Sequence, residues 1–251
     1  MTHEATINKL IEMRLSTMAD AFRTQLTDNS YEAMSFGERL GLMVDQEFRT
    51  RKNNKLNRLI RNATFEQPTA HIANINYTAK RKIDKDLINH LAGCQYIHEH
   101  LNVIILSASG MGKTYLSCAL GIAACQQSYT VRYIRLPELL NELVVARGQG
   151  IFQKALNQYK NVSLLILDEW MLVSLQEHEA RDLLEIINAR HKRSSTIFCS
   201  QFDPAGWHGK VGEPTIADAI LDRIVHDSYT IHLKPAGEEF SMRELYGIKH
   251  S

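Results

Sequence analysis

The chain has 251 residues, of which 44% are hydrophobic and 23% are charged, and its formal net charge at pH 7 is +1. This composition is ordinary for a globular protein and excludes a largely disordered chain; the length allows one large domain or a core with a small accessory domain. The small net charge gives no sign of nucleic-acid binding by the chain as a whole, so a DNA-binding surface would have to be local.

The N-terminal part of the chain has the apolar spacing of helices and lacks the alternation typical of strands. Apolar residues recur at helical spacing at Ile7, Leu10, Ile11, Met18 and Phe22, and again at Leu56, Leu59, Ile60 and Ala63. Turn-forming residues in "LTDNSY" separate two such helices. The stretch "FEQPTAHIANINY" then interrupts the pattern around Pro68. We therefore predict a helical N-terminal domain over 1–67, a linker over 68–81 and a second domain over 82–251.

From Lys82 onward, apolar strands alternate with helices. The strand candidates are "NVIIL", "TVRYIRL", "VSLLILD" and "STIFCSQ". Helices are predicted over "KDLINHLAGCQYIHEHL", "KTYLSCALGIAACQQ" and "PELLNELVVA", and Ser174 with Glu177 predicts a capping box that starts a helix running to Arg190. Strands that alternate with helices predict an α/β fold, with a parallel sheet covered by helices on both faces.

The stretch "NVIILSASGMGKTYL" has the pattern of a phosphate-binding loop between a strand and a helix, except that Ser107 replaces the first glycine of G-x-x-x-x-G-K-[ST]. Backbone N–H groups at the start of the helix would bind phosphate, and Gly110 and Gly112 allow close approach. Lys113 would reach the β/γ oxygens and Thr114 would bind Mg²⁺. Ser107 costs about 1 kcal/mol if its φ must be positive. The predicted ATP-binding residues are Ser107, Ala108, Ser109, Gly110, Met111, Gly112, Lys113, Thr114 and Tyr115.

A second motif, "LLILDEW", is an apolar strand that ends in two acids. Beside a phosphate-binding loop, Asp168 suits Mg²⁺ binding and Glu169 suits activation of water as a general base. Each motif alone has a simpler interpretation, a glycine-rich turn before a core helix for the first and solvated strand-end acids for the second. Together they favour an ATP site.

The order of these motifs resembles that of the AAA+ ATPases. In that family the next strand ends in a polar sensor of the γ-phosphate, for which "TIFCSQF" offers Ser200 and Gln201. We favour Gln201, because neighbouring strand residues point to opposite faces; both could also be ordinary strand-end residues. The resemblance implies that Arg223 enters the site of a neighbouring subunit, although an ion pair with Asp222 or Asp227 is an alternative. It also implies a second-sensor role for Arg243.

Several longer stretches resemble the IstB-like ATPases, helper proteins encoded beside the transposase in one class of bacterial insertion sequences. They are "SGMGKTYLSCALG", "LLILDEW", "STIFCSQFDPAGWHGKVGEPTIADAILDRIVHDSY", the late "SMR" and the N-terminal "FGERLGLMVDQEFRTRKNNKLNRLIRNATF". The resemblance implies an ATP-dependent, largely sequence-independent protein that oligomerises on duplex DNA and recruits or stimulates the transposase. Ser107 and Tyr115, where a histidine often follows G-K-T, depart from the family pattern. A helicase loader of the DnaC type and a non-catalytic nucleotide-binding module remain alternatives.

A local basic stretch is the first candidate for DNA contacts, because no acid occurs between Glu47 and Glu66. Its bases are Arg49, Arg51, Lys52, Lys55, Arg58 and Arg61. Arg51, Lys55 and Arg58 fall at i, i+4 and i+7, so one helix stripe could follow phosphates, although a solvated face has the same pattern. Arg147 and Lys154 in "ARGQGIFQKALNQYK" are a second candidate, or part of an ordinary loop and helix. No base-reading motif appears.

Cysteine spacing and hydropathy indicate the cellular compartment in which the protein is expected. The four cysteines form no C-x-x-C pair, which argues against a disulfide framework or a zinc site and favours a reducing compartment. The first residues, "MTHEATINKLIEMRL", include acids and lack the apolar core of a secretory signal. No apolar run approaches the ~18 residues of a membrane span. We expect a soluble, cytoplasmic protein.

Overall fold

The structure is a computed structural model that describes residues 2–77 and 81–235. Contacts divide the chain into two compact units, Met1–Arg58 and Leu59–Ser251. The sequence places the change of domain later, in 68–81. The difference has a physical cause: the Thr64 hydroxyl donates to the Tyr133 carbonyl oxygen at 3.1 Å, and the Phe65 ring lies against Gly121. Residues 59–77 therefore belong to the second unit by contact.

The first unit is helical, as the sequence predicts. Its helices are α1 (His3–Glu12), α2 (Ser16–Thr27) and the part of α3 (Phe36–Ala63) that ends at Arg58, with a 3-10 turn at Asn29–Tyr31. The Ser35 hydroxyl and the Glu38 carboxylate cap the start of α3 by accepting each other's backbone N–H. Glu47 is buried and accepts the N–H of Met18 at 2.9 Å, which ties α3 to α2.

The second unit is an α/β domain. Its helices are α4 (Lys85–Ala92), α5 (Gln95–His98), α6 (Lys113–Gln126), α7 (Leu136–Gly148), α8 (Phe152–Lys160), α9 (Glu177–Arg190), α10 (Pro204–Val211) and α11 (Pro214–Val225). Its strands are β1 (Arg81–Lys82), β2 (Asn102–Leu106), β3 (Val131–Arg135), β4 (Leu164–Trp170), β5 (Ser195–Ser200), β6 (Ser228–His232) and β7 (Lys234–Pro235). A 3-10 turn lies at Ile72–Asn74.

The main sheet has five parallel strands in the order β3-β4-β5-β2-β6, and β1 pairs with β7 in a separate antiparallel ribbon. Alternate residues of β2 and β4 face opposite sides. Ile104 and Leu167 join the large core formed with α7 to α11. Ile166 lies close to Gly121 of α6, on the other side. Helices thus cover both faces, which confirms the predicted fold class.

Three local details differ from the sequence expectations. The single helix expected over 85–101 is interrupted, because Cys94 adopts φ 62°, a left-handed conformation that ends α4 and begins α5. Helix α9 starts at Glu177 behind a capping box of Gln176 and Glu179, so the box assigned to Ser174 and Glu177 is wrong. Strands β1, β6 and β7 were not predicted from the sequence.

The parallel order places several polar residues at one edge of the sheet. The phosphate-binding loop follows β2, the two acids end β4, and Gln201 follows β5. These strands are neighbours, and in open parallel sheets ligands bind beyond the carboxyl ends of the strands. Among the described residues, none of the helices combines the length and the hydropathy that crossing a bilayer requires.

Candidate nucleotide-binding site

The loop between β2 and α6 has the backbone of an anion-binding turn. Gly110 and Gly112 have φ 77° and 95°, values that side-chain-bearing residues rarely adopt, and Lys113 begins α6 directly after them. Backbone N–H groups and the positive end of the helix then face the same point. The φ angle of Ser107 is not positive. The serine therefore carries no backbone strain at the position of the usual glycine.

The side chain of Lys113 folds over its own loop. Its Nζ donates to the carbonyl oxygens of Ser107 at 2.6 Å and Ala108 at 2.8 Å, and lies 3.1 Å from the Ser107 Oγ. The Ser107 hydroxyl in turn donates to the Ala108 carbonyl oxygen at 3.0 Å. The ammonium group is thus held at the loop by oxygen atoms that a phosphate can replace. Ser107 supplies two of those oxygens, its carbonyl oxygen and its hydroxyl oxygen, and a glycine would lack only the hydroxyl.

A hydroxyl and a carboxylate meet where a metal ion would sit beside the phosphates. Thr114 Oγ1 donates to Asp168 Oδ2 at 2.7 Å, and the Tyr133 hydroxyl donates to the same oxygen at 2.8 Å. Asp168 Oδ1 accepts the N–H of Glu169 at 2.8 Å. Burial, followed by the charge of Asp168, raises the pKa of Tyr133, so its hydroxyl stays a donor at neutral pH.

This donor set fits Mg²⁺, a hard cation that prefers hydroxyl and carboxylate oxygens together with substrate phosphate. The described residues contain no cluster of three His, Cys, Asp or Glu side chains that could hold a metal without a substrate. Thr114 and Asp168 would therefore hold the ion jointly with a nucleotide. This matches how Mg²⁺ binds in phosphoryl-transfer sites, where the protein supplies one or two ligands.

Glu169 occupies a strained position at the end of β4. The pairing of β4 with β5 shifts register between Leu167 and Trp170, and within this irregularity Glu169 has φ 54°. A left-handed conformation is costly for glutamate and is typical of functional sites. The result is that Asp168 stays buried, with 4% exposure, while the next side chain turns into an open cavity.

That cavity has a volume of about 680 Å³, within the range of small-molecule sites. Its lining includes Ser109, Gly110, Gly112, Lys113, Thr114, Tyr115, Asp168, Glu169 and Gln201 from the predicted set. Ser107, Ala108 and Met111 are not part of the lining, although the Ser107 and Ala108 carbonyl oxygens hold Lys113. The structure thus brings the two sequence motifs and Gln201 together in one place.

The two sensor candidates have different surroundings. The Ser200 hydroxyl is buried; it donates to the Trp170 carbonyl oxygen and accepts N–H bonds from Phe202 and from the Trp207 indole. Gln201 lines the cavity and is exposed. Since the hydroxyl of Ser200 is already occupied by three partners, the geometry favours Gln201, and the sensor role stays a prediction.

The two arginines expected to act around the phosphates lie outside this cavity or outside the described residues. Arg223, on α11, donates to the Ala219 carbonyl oxygen at 2.7 Å and does not line the cavity. Within the described chain, neither Asp222 nor Asp227 pairs with it; Asp222 lies 3.7 Å from His226. Arg243 lies outside the described residues.

The basic residues of the first candidate stretch are mostly exposed on α3. Arg49, Lys52, Lys55 and Arg58 are exposed and form no ion pair among the described residues, and Arg61 is exposed on the same helix. Arg51 differs, because it pairs with Glu47 and donates to the Arg14 carbonyl oxygen. In the second stretch, Arg147 binds both oxygens of Asp182 at 2.7 Å and stacks on Phe152, whereas Lys154 is exposed.

The cavity also has residues that the sequence did not single out. Gln67, Asn74, Ile75 and Asn76, from the stretch expected to be a linker, form part of its lining. The Tyr115 hydroxyl lies 3.2 Å from the backbone nitrogen of His71, which joins this stretch to α6. Arg81, with 6% exposure, donates to the carbonyl oxygens of Met111 and, at 3.5 Å, Asn76. The only sequence signal near Arg81 is the short basic stretch "YTAKRK", and such a stretch is typical of an exposed, solvated segment.

Fold and cavity together define a P-loop nucleotide-binding protein of the AAA+ type. The family model described as "IstB-like ATP binding protein" matches residues 8–244. The chain belongs to this family.

Individual relatives agree with this assignment. An insertion sequence ATP-binding protein of Sinorhizobium fredii is 40% identical over 246 residues, which cover 98% of this chain and 97% of that one. The ATP-binding protein of insertion sequence IS1162 from Pseudomonas fluorescens is 38% identical over 201 residues, covering 80% and 87%.

Solved structures share the fold at low identity. DnaI has a TM-score of 0.58 at 20% identity, covering 66% of this chain and 92% of that one. The replication initiator DnaA bound to AMPPCP and single-stranded DNA has a TM-score of 0.54 at 21% identity, covering 65% of this chain and 50% of that one.

Proposed function

We propose that this protein hydrolyses ATP with Mg²⁺, assembles as a homo-oligomer on duplex DNA in the cytoplasm, and assists the transposase of an insertion sequence. The observation that carries the proposal is the convergence of the phosphate-binding loop, Asp168 and Glu169 on one cavity. Membership of a family of insertion-sequence ATP-binding proteins supplies the biological context.

The residues of the cavity have different roles in hydrolysis. The loop N–H groups and Lys113 bind the β/γ-phosphates, for which Lys113 exchanges its carbonyl partners for phosphate oxygens. Thr114 and Asp168 would hold Mg²⁺, which would supply charge neutralisation to the phosphates. Glu169 is exposed to the cavity and accepts the proton of the attacking water, and Gln201 orients that water or the γ-phosphate.

The surroundings of Arg223 support the proposed assembly into an oligomer. The cavity of one chain lacks an arginine from α11, and the guanidinium of Arg223 has no acidic partner among the described residues. An arginine supplied by a neighbouring subunit stabilises the charge of the transferring phosphoryl group. Completion of the site across an interface would couple ATP binding to oligomer formation.

DNA binding is supported by α3, whose exposed bases Arg49, Lys52, Lys55 and Arg58 have no acidic partner among the described residues. One subunit offers only a few phosphate contacts, but an oligomer that aligns several copies of the helix multiplies them. Arg51 and Arg147 contribute less, since each is already held by a carboxylate. Contacts of this kind carry no sequence preference.

The test combines hydrolysis with DNA retention. We expect ATP hydrolysis by the purified protein, stimulated by duplex DNA, and oligomers on DNA that need ATP in electron micrographs. A Glu169→Gln variant should bind ATP and release DNA more slowly than the wild type. An inactive wild type, or faster DNA release by the variant, would contradict the proposal. Stimulation of hydrolysis by a replicative helicase and not by the transposase would favour the helicase-loader alternative.

A further inference from the structure

The turn that carries Gln201 is held by one side chain of α10. Gln201 lies between β5, which ends at Ser200, and α10, which begins at Pro204. The indole N–H of Trp207 donates to the Ser200 hydroxyl oxygen at 3.0 Å and to the Phe202 carbonyl oxygen at 2.8 Å. A single donor therefore binds the residues on both sides of Gln201.

The Ser200 hydroxyl has its full number of partners and extends this contact to β4. Besides the indole N–H, it accepts the backbone N–H of Phe202 at 3.1 Å, and it donates to the Trp170 carbonyl oxygen at 2.9 Å. A hydroxyl has one hydrogen to donate and two lone pairs that accept, so all three are used. A buried hydrogen-bond network thus ties the end of β5 to the end of β4 and to α10.

The indole itself is held by packing. Trp207 is fully buried, and its ring lies edge-on to Trp170, with 5.8 Å between the ring centroids, and tilted against Phe198 at 6.4 Å. Close packing of large rings restricts each of them to one orientation. The start of α10 is fixed as well, because the Asp203 carboxylate accepts the N–H of Gly206 at 3.0 Å. The N–H of Trp207 therefore reaches the turn from a rigid support.

Gln201, in contrast, has little support of its own. Its side chain is exposed and lines the cavity, and within the described part of the chain it forms no hydrogen bond. A glutamine that orients a water molecule or a phosphate oxygen has to start from a fixed point, because small displacements of such groups are costly for the rate. That point is the backbone of the turn, which Trp207 binds at both neighbours of Gln201.

We infer that Trp207 is a positioning residue for Gln201, because its indole N–H fixes the turn from which the glutamine reaches the γ-phosphate or the attacking water. Trp207 is buried and does not line the cavity, so it acts only through Gln201. Without the N–H, the turn loses this donor and relaxes, and hydrolysis slows while the nucleotide still binds. The inference rests on the proposed ATPase activity and on the role of Gln201 in it.

The first variant removes the N–H and keeps an aromatic ring. Trp207→Phe should lower kcat for ATP hydrolysis about tenfold, because the displaced glutamine no longer meets the transition state. The dissociation constant of a fluorescent ATP analogue should stay within about twofold of the wild type. Phe198→Leu is the matched control, since it weakens packing in the same aromatic cluster without removing a donor to the turn. Its kcat should stay within about twofold of the wild type.

A double-mutant cycle distinguishes positioning from general damage to the fold. If Trp207 acts through Gln201, Trp207→Phe should have no further effect on kcat in the Gln201→Ala background. A purely structural role would lower kcat by the same factor in both backgrounds. Ser200→Ala removes an acceptor of the same indole N–H and should give the same pattern. It replaces Trp207→Phe in the cycle if thermal unfolding shows that the tryptophan variant does not fold.

The outcomes separate this inference from the proposed function. An inactive wild-type protein overturns both. An active wild type whose hydrolysis is unchanged by Gln201→Ala overturns the role of Gln201 and the inference with it, while the ATPase activity stands. If Gln201→Ala slows hydrolysis but the folded Trp207→Phe variant keeps the wild-type rate, the inference alone is overturned. An equal loss of kcat in Trp207→Phe and Phe198→Leu also contradicts it.

Discussion

Ser107 shows how a residue that breaks a motif can still fit the site. A glycine is needed only where φ is positive, and among the loop residues this holds for Gly110 and Gly112. Ser107 sits at the outer edge of the loop, where its hydroxyl contacts Lys113. The departure from the motif is therefore a change in side-chain chemistry and not in backbone shape.

From this we predict that Ser107→Gly leaves nucleotide affinity within about threefold of the wild type, because one partly exposed hydrogen bond is worth about 0.5 kcal/mol or less. The dissociation constant of a fluorescent ATP analogue measures it. A tenfold gain in affinity would mean that the serine strains the loop after all. Gly112→Ala is the comparison, since a Cβ at φ 95° should weaken binding strongly.

Lys113 carries a larger share of the binding. We predict that Lys113→Ala weakens nucleotide binding by about 30-fold or more. The variant loses the charge-assisted hydrogen bonds to phosphate oxygens, which contribute about 2 kcal/mol to the binding free energy. The fold should survive, because the carbonyl oxygens of Ser107 and Ala108 become accessible to water. Titration with the analogue, beside Lys154→Ala as an exposed lysine remote from the loop, gives the measurement; unchanged uptake would refute the site.

Arg190 shows a buried charge with a structural role. Its guanidinium donates to the carbonyl oxygens of Tyr159 at 2.8 Å, Val162 at 2.9 Å and Ser195, and burial lowers its pKa to about 9. Replacement by methionine leaves those carbonyl oxygens buried without donors, so we predict a loss of about 3 kcal/mol in the free energy of unfolding. Urea denaturation measures it, with Arg193→Met, an exposed neighbour, as the control that should change little.

At the level of elements, the close approach of α6 to its neighbours depends on Gly121. A Cβ at Gly121 would lie 2.5 Å from the Phe65 ring and 2.8 Å from the Ile166 side chain. Alanine is the better helix former by about 1 kcal/mol, yet we predict that Gly121→Ala destabilises the protein by about 1–3 kcal/mol through overpacking. Gly209→Ala in α10, where nothing lies within 4 Å of the added Cβ, should stabilise instead. Thermal unfolding of both variants decides; the same sign in both would contradict the packing argument.

Element patterns were the part of the fold that the sequence could predict. The stretches "NVIIL", "VSLLILD" and "STIFCSQ" each contain a short run of apolar residues that is buried on both faces, and such runs are visible without any long-range information. The two phosphate-site motifs are equally local. Their convergence followed from the rule that parallel strands present their carboxyl ends to one edge.

What escaped prediction depends on distant partners. The ribbon of β1 with β7 joins residues about 150 positions apart with two residues in each strand, too short for any periodicity. The stretch 68–77 looks like a linker because it lacks a pattern, yet it borders the cavity through Asn74 and Ile75. Arg135 meets Glu66 only because β3 lies beside β4 and Phe65 packs on α6.

At the scale of the whole molecule, net charge hides the proposed DNA surface. The chain carries +1 overall, but the exposed bases of α3 are unopposed by acids along that helix segment. We predict that Lys52→Ala and Lys55→Ala each reduce the salt dependence of duplex binding by about one unit of slope per helix engaged. Arg147→Ala should leave the slope unchanged, because Arg147 is already paired with Asp182. Binding isotherms at several salt concentrations give the slopes; a change only in the Arg147 variant would relocate the DNA site to α7 and α8.

Assembly can be tested without knowing the number of subunits. Lys113→Ala removes the lysine of the phosphate-binding loop from its own chain. Arg223→Ala removes the arginine that the chain would contribute to the site of its neighbour. Each variant alone should therefore hydrolyse little ATP. The Arg223→Ala variant should still bind the nucleotide, since the side chain that it lacks does not line the cavity.

A mixture of the two variants tests whether the site is completed across a head-to-tail interface. If it is, an equal mixture contains interfaces that combine the intact loop of one variant with the intact arginine of the other. Random pairing gives about one quarter of all sites in this arrangement, so the mixture should recover about that fraction of wild-type hydrolysis. An Arg223→Ala protein with normal hydrolysis, or a mixture no more active than its components, would place the arginine outside the reaction.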